Sequence, residues 1–116
     1  MIYAIGDIHG CLKTLKALLK KLPYQPDDLL VFIGDYIDRG PDSKGVLEFL
    51  MQFMYEHPHV VYLRGNHEQL CLDALKNKSE DAYAQWLRNG GGATLSSYHG
   101  QFDGAHALML QSLPLT

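Results

Sequence analysis

Three short polar runs, each directly after an apolar stretch, constrain this chain more than anything else in it. They are Gly6-Asp7-Ile8-His9-Gly10, Gly34-Asp35-Tyr36-Ile37-Asp38-Arg39-Gly40 and Gly65-Asn66-His67-Glu68. The stretches before them, Ile2–Ile5, 29–33 and 60–63, are short and apolar and end at or near a glycine, so they read as buried strands. Between them the pattern changes to helical spacing. Leu12, Leu15, Leu18, Leu19 and Leu22 recur on one face, with lysines between, until Pro23 stops the run. Val46, Leu47, Phe49, Leu50, Phe53 and Met54 form a second such face, opened by Asp42 or Ser43 as cap and closed at His57-Pro58. Further helices are predicted from Glu68 to about Lys76, from Ser79-Glu80-Asp81 to Leu87, and over 106–111. The run Asn89-Gly90-Gly91-Gly92 is expected to break the chain between them, before an amphipathic stretch over 93–98 and a turn near 100–104.

A strand–loop–helix unit repeated three times implies an α/β fold with a mainly parallel sheet, covered on both faces and joined by right-handed crossovers. In such sheets ligands bind beyond the carboxyl ends of the strands, and all three polar runs are delivered to that one edge. With 116 residues, 47% of them apolar, the chain fits a single domain, 1–116. A net charge of −3 argues against a nucleic-acid scaffold, which wants a basic face. No apolar run reaches the ~20 residues of a membrane span, and no targeting segment precedes the first motif. Cys11 and Cys71 make neither a disulfide framework nor a metal motif, as expected of reduced thiols in a cytoplasmic protein.

The residue types in the three runs suit one chemistry. Asp7 and His9, two apart in an extended segment, would face the same way toward a cation, with Gly6 and Gly10 allowing tight turns. The two oxygens of Asp35 could bridge two cations. Arg39 offers a planar fork for phosphate oxygens. Asn66 can give a carbonyl oxygen to a cation, and His67 stands where a leaving group could lie. Arg64 reads as a structural salt-bridge residue rather than a substrate contact. His57 and His59 fall at the far rim of the sheet, and neither they nor His99 and His106 are read as ligands.

The pattern GDxHG, GDxxDRG, GNHE, present without a substitution, resembles that of the phosphoprotein phosphatase family of the metallophosphoesterase superfamily. Gln69 and Trp86-Leu87-Arg88-Asn89-Gly90-Gly91-Gly92 resemble the bacterial and phage Ser/Thr phosphatase branch. The resemblance implies an αββα sandwich. It implies that Asp7, His9 and Asp35 hold a first divalent metal and that Asp35 and Asn66 begin a second, with Mn expected and Fe, Zn or Ni as alternatives. His67 would be the general acid, with Asp38 hydrogen-bonded to its other ring nitrogen. Arg39 and Asn66 would hold the phosphate. Two cations about 3.5–4 Å apart would clamp an in-line displacement at phosphorus by a bridging hydroxide. The substrate would be a phosphorylated protein or a small phosphoester.

By the same resemblance, the histidines that complete the second metal site follow the Leu-Pro region, where this chain ends at Thr116. The expectation is therefore a carboxy-terminally truncated, incomplete domain whose unpaired sheet edge and exposed apolar faces leave the isolated 116 residues either self-associating or poorly stable. Two alternatives stand beside a Ser/Thr phosphatase: a dinucleoside tetraphosphate hydrolase of the same superfamily, and a non-catalytic metal-binding module.

Overall fold

A computed structural model describes residues 1–77 and 80–115. Three strands, β1 (Ile2–Ile5), β2 (Leu29–Phe32) and β3 (Val60–Tyr62), form one wholly parallel sheet in the order β1-β2-β3. Helix α1 (Leu12–Lys21) joins β1 to β2, and α2 (Ser43–Glu56) joins β2 to β3. After β3 come α3 (Asn66–Asn77) and α4 (Glu80–Trp86), then a π-helical turn over Leu87–Gly91, α5 (Gly92–Ser97) and α6 (Gly104–Ser112).

Local chemistry sets the ends of these elements. Asp42, not Ser43, caps α2: its Oδ1 accepts from the Gly45 N–H at 2.8 Å. Asp103 Oδ1 accepts from the N–H groups of Ala105 and His106, so the last helix starts at Gly104, earlier than its apolar residues suggest. The expected break at 89–92 is a kink rather than a stop. Only Gly90 leaves helical geometry, at φ 102°, and the helix resumes at Gly92. The start expected at Ser79 lies outside the described residues, as does Thr116; α4 is described from Glu80.

The parallel α/β arrangement agrees with the sequence reading, but the expected cover on both faces does not appear among the described residues. Tyr3, Ile5, Leu30, Phe32, Val60 and Tyr62 share one face by register, and this face is packed. Ile2, Ala4, Val31 and Val61 share the other, where Ile2 is 69% exposed and Val61 38%. Strand order explains this. Right-handed crossovers that step the same way twice put α1 and α2 on the same side.

The packed side is dense. Phe32 and Tyr62 stack at 4.9 Å with their planes 8° apart, and Phe53 of α2 meets Phe32 edge-on at 6.0 Å. Val46, Leu47 and Leu50 are fully buried against them. Each such side chain contributes about 1.5–3 kcal/mol by leaving water. No described helix is long and apolar enough to cross a membrane.

Both cysteines are free; Cys71 is fully buried in α3, and burial pushes its thiol up. Cys11 is half-buried. A thiol reagent at mild alkaline pH is therefore expected to titrate Cys11 quickly in the native protein and Cys71 only after denaturant is added. Two fast thiols would show that α3 is not packed as described.

Candidate metal centre

The pairing that builds the sheet continues past the strands into the motif loops. The His9 N–H donates to the Asp35 carbonyl at 2.9 Å, and the Gly10 N–H to that of Tyr36 at 2.8 Å. The loop after β2 passes so close to the loop after β3 that a Cβ at Gly34 would overlap Gly65 Cα; Gly34 also sits at φ 110°. The three loops are thus locked side by side at the carboxyl edge, as the strand order requires.

Asp7, His9 and Asp35 meet there, with one potential ligand atom from each all within 4.8 Å of one another. They do not meet by the extended geometry read from the sequence. Asp7, His9 and Asp35 all have left-handed backbones, at φ 53°, 43° and 58°. Tight left-handed turns, rather than an alternating strand, bring the side chains together. Asp38 and Arg39 follow at φ 76° and 71°, so five of the six described non-glycine residues with positive φ lie in these loops. Such conformations cost on the order of 1–3 kcal/mol each for most residues and persist where the surroundings enforce them.

The donor set fits a divalent cation. Two carboxylates and an imidazole are ordinary ligands for such ions. His9 Nδ1 lies 2.9 Å from the Ile37 carbonyl, which as an Nδ1–H bond fixes the tautomer and leaves Nε2 for a metal. Asp35 Oδ1 accepts from the His67 N–H at 3.0 Å, at the amino end of α3.

Glu68 holds this corner in place, although sequence reasoning gave it no role beyond the motif. It is fully buried. Its Oε1 accepts from the N–H of Asp35 at 2.7 Å and of Gly65 at 2.8 Å, and its Oε2 from the N–H of Tyr36 at 2.8 Å. Burial pushes the carboxyl above the usual carboxylate range, against the downward pull of those three donors.

His67 and Asp38 form a buried pair, His67 Nδ1 to Asp38 Oδ2 at 2.8 Å. The His67 ring stands edge-on to that of His9, with centroids 4.6 Å apart. A ring whose Nδ1–H is held by a carboxylate presents Nε2 to its surroundings, which suits it to move a proton beside the Asp7–His9–Asp35 group. Asn66 is exposed at the first residue of α3, next to His67, and Arg39 is exposed on its loop.

The remaining candidates fall elsewhere. Arg64 is structural, as expected, but through hydrogen bonds rather than an ion pair: Nη1 donates to Gln69 Oε1 at 2.9 Å and Nη2 to the Gln111 carbonyl at 2.6 Å. His57 and His59 line a cleft of about 540 Å³ with Tyr24 and Pro26, beside Leu30 and Val60 at the opposite end of the strands. His106 is buried against the Tyr98 hydroxyl at 2.5 Å, and His99 is exposed at φ 56°. Trp86, Thr94 and Ser43 converge on Asp38. No local pattern could have shown this, because Trp86 and Thr94 lie 48 and 56 residues from it in sequence.

Known proteins share this arrangement of sequence and fold. Residues 1–111 match the calcineurin-like phosphoesterase family. The chain is 39% identical to serine/threonine-protein phosphatase 1 of Salmonella typhimurium over 97% of its own length and 50% of the relative's. It is 41% identical to a symmetrical bis(5'-nucleosyl)-tetraphosphatase of Pseudomonas fluorescens, over 65% of this chain and 25% of that one. A solved protein serine/threonine phosphatase from Saccharomyces cerevisiae superposes on 98% of the chain, and on 33% of its own length, with a TM-score of 0.66 and 25% identity. The chain therefore spans half the length of the Salmonella relative, or less of the others. On the match over residues 1–111, the chain belongs to the calcineurin-like phosphoesterase family.

Proposed function

We propose that the protein carrying this chain is a metal-dependent Ser/Thr phosphoprotein phosphatase that cleaves phosphate monoesters. The observation that carries the reading is the buried Asp38–His67 pair, 2.8 Å long, whose ring stands 4.6 Å from that of His9 in the candidate metal group. The Salmonella relative, named a serine/threonine-protein phosphatase, supports the substrate class.

Asp7, His9 and Asp35 would hold one divalent cation, and Asp35 with Asn66 would contribute to a second. Such cations would polarise the phosphoryl group and make water nucleophilic at neutral pH. Manganese is our proposed ion, and the free Cys11 and Cys71 support a reducing, cytoplasmic setting. The chain's own residues would do the rest. Arg39, exposed at the edge of the site, would bind the phosphoryl oxygens with its planar fork. His67 would give its Nε2 proton to the departing serine or threonine oxygen, while Asp38 keeps the Nδ1–H in place. Glu68 would keep Asp35 and Gly65 in register.

Hydrolysis of a phosphopeptide with Mn²⁺ should be measured on the 116 residues and on any longer protein that contains them. His67→Asn is expected to lower kcat by ~10²–10⁴-fold. No metal-dependent hydrolysis in any form would overturn the reading. The tetraphosphatase relative favours a second reading, and faster turnover of a dinucleoside tetraphosphate than of the phosphopeptide would establish it.

Glu68→Gln places an amide NH₂ against one of the three backbone N–H donors. It is expected to destabilise the fold by about 1–3 kcal/mol and to weaken Mn²⁺ binding in calorimetry. Unchanged stability and affinity would remove Glu68 from this role.

The bare sheet face supports self-association of the isolated 116 residues. Sedimentation as a monomer at all concentrations would count against it.

A further inference from the structure

Asp38 is fully buried, and its carboxylate faces no lysine or arginine among the described residues. A buried carboxylate needs donors for both oxygens. Here one donor is His67. The others come from the far side of the kink. The Trp86 indole Nε1–H lies 3.0 Å from each carboxylate oxygen, and Thr94 Oγ1 lies 2.7 Å from Oδ1.

The two donors differ in how firmly their roles are fixed. Indole nitrogen donates and never accepts. The Thr94 hydroxyl accepts from Asp38's own N–H at 2.8 Å, and of the two acceptors its single proton can reach, Asp38 Oδ1 at 2.7 Å is nearer and more basic than Ser43 Oγ at 3.0 Å. Ser43 Oγ stands 3.0 Å from Thr94 Oγ1 and 3.1 Å from the Asp38 nitrogen, closing the ring from α2. Asp38 is therefore placed to accept at both oxygens, from the indole at each and from the nearer hydroxyl at Oδ1. Whatever lies at Oδ2 must also donate, and that group is His67 Nδ1.

The same segment reaches the next residue. The Arg39 N–H donates to the Gly90 carbonyl at 3.1 Å. Gly90 is at φ 102°, and a Cβ there would come within 2.6 Å of Arg39 Cγ. One stretch, residues 86–94, thus grips two consecutive left-handed residues, Asp38 by its carboxylate and N–H and Arg39 by its backbone.

We propose that the kinked segment 86–94 is a positioning strap, in which Trp86 and Thr94 act through Asp38 to hold His67 in its Nδ1–H tautomer, and Gly90 sets the backbone that aims Arg39. The consequence for catalysis rests on His67 being the proton donor; the geometry of the strap does not.

Nitrogen-15 NMR of the histidine rings in the metal-free protein tests it. The expected result is a His67 imidazole protonated at Nδ1 with a slowly exchanging proton. Trp86→Phe, which keeps the buried ring, and Thr94→Val, which keeps the shape, are each expected to lose that protected proton or to mix tautomers. Thr94→Ser, which keeps the hydroxyl, should restore it. In a form that hydrolyses phosphopeptide, Trp86→Phe and Thr94→Val should lower kcat by about 10–100-fold, with KM and Mn²⁺ affinity little changed.

A wild-type His67 with its proton on Nε2 overturns the proposal without any variant. So does an unchanged Nδ1–H signal in both variants, or a Thr94→Ser that behaves like Thr94→Val. Loss of the signal in the variants, with no hydrolysis by the wild type in any form including longer proteins, supports the strap while refuting the phosphatase reading, so the two failures are distinguishable.

Discussion

The candidate site depends on backbone N–H groups that are turned inward and must be satisfied there. Glu68 accepts from the N–H groups of Asp35, Tyr36 and Gly65, and so joins the loop after β2 to the loop after β3. Without that carboxylate the buried Tyr36 donor would be unpaired, at a cost of about 1–3 kcal/mol, and the part-buried donors of Asp35 and Gly65 would lose their partner. With it, the backbone can hold Asp35 at φ 58° and can turn the His67 N–H onto Asp35 Oδ1. Asp7 and His9 follow, because their loop is hydrogen-bonded to the same stretch of backbone.

The energetic balance is tight. Five left-handed non-glycine residues, at roughly 1–3 kcal/mol each, amount to strain comparable with the net stability of about 5–15 kcal/mol typical of a small domain. Aspartate tolerates this region better than most residues, and three of the five are Asp7, Asp35 and Asp38. The remaining cost is offset by the aromatic stack of Phe32 on Tyr62, the buried face of α2, and the loop hydrogen bonds. Strain is concentrated at the edge where chemistry would occur, and regular packing lies behind it.

Much of this was legible in the sequence because it is local. The bounds of β1, the Asp42 cap on α2 and the order of strands and helices follow from apolar spacing and capping chemistry within a few residues. The three loops were read as one site because parallel strands deliver their carboxyl ends to one edge. What escaped the sequence is non-local or concerns backbone handedness. Asp7 and His9 were expected to be extended, and nothing in a Gly-Asp-Ile-His-Gly run distinguishes that from two left-handed residues. Arg64 was expected to pair with a carboxylate, whereas the partners its fork meets are Gln69 and a carbonyl of α6. The sheet was expected to be covered twice, yet strand order sends both crossovers to one side. Trp86 and Thr94 could not be linked to Asp38 without the path of the chain between them.

That link has an optical consequence. Trp86 is the sole tryptophan of the 116 residues, and it is wholly buried with its indole nitrogen on the Asp38 carboxylate. All indole emission from this chain therefore originates one hydrogen bond from the candidate acid–carboxylate pair. The protein carries its own fluorescent reporter at the point where two distant parts of the chain meet. Separation of the kinked helix from the Asp38 loop would register as a change in emission, with no label attached.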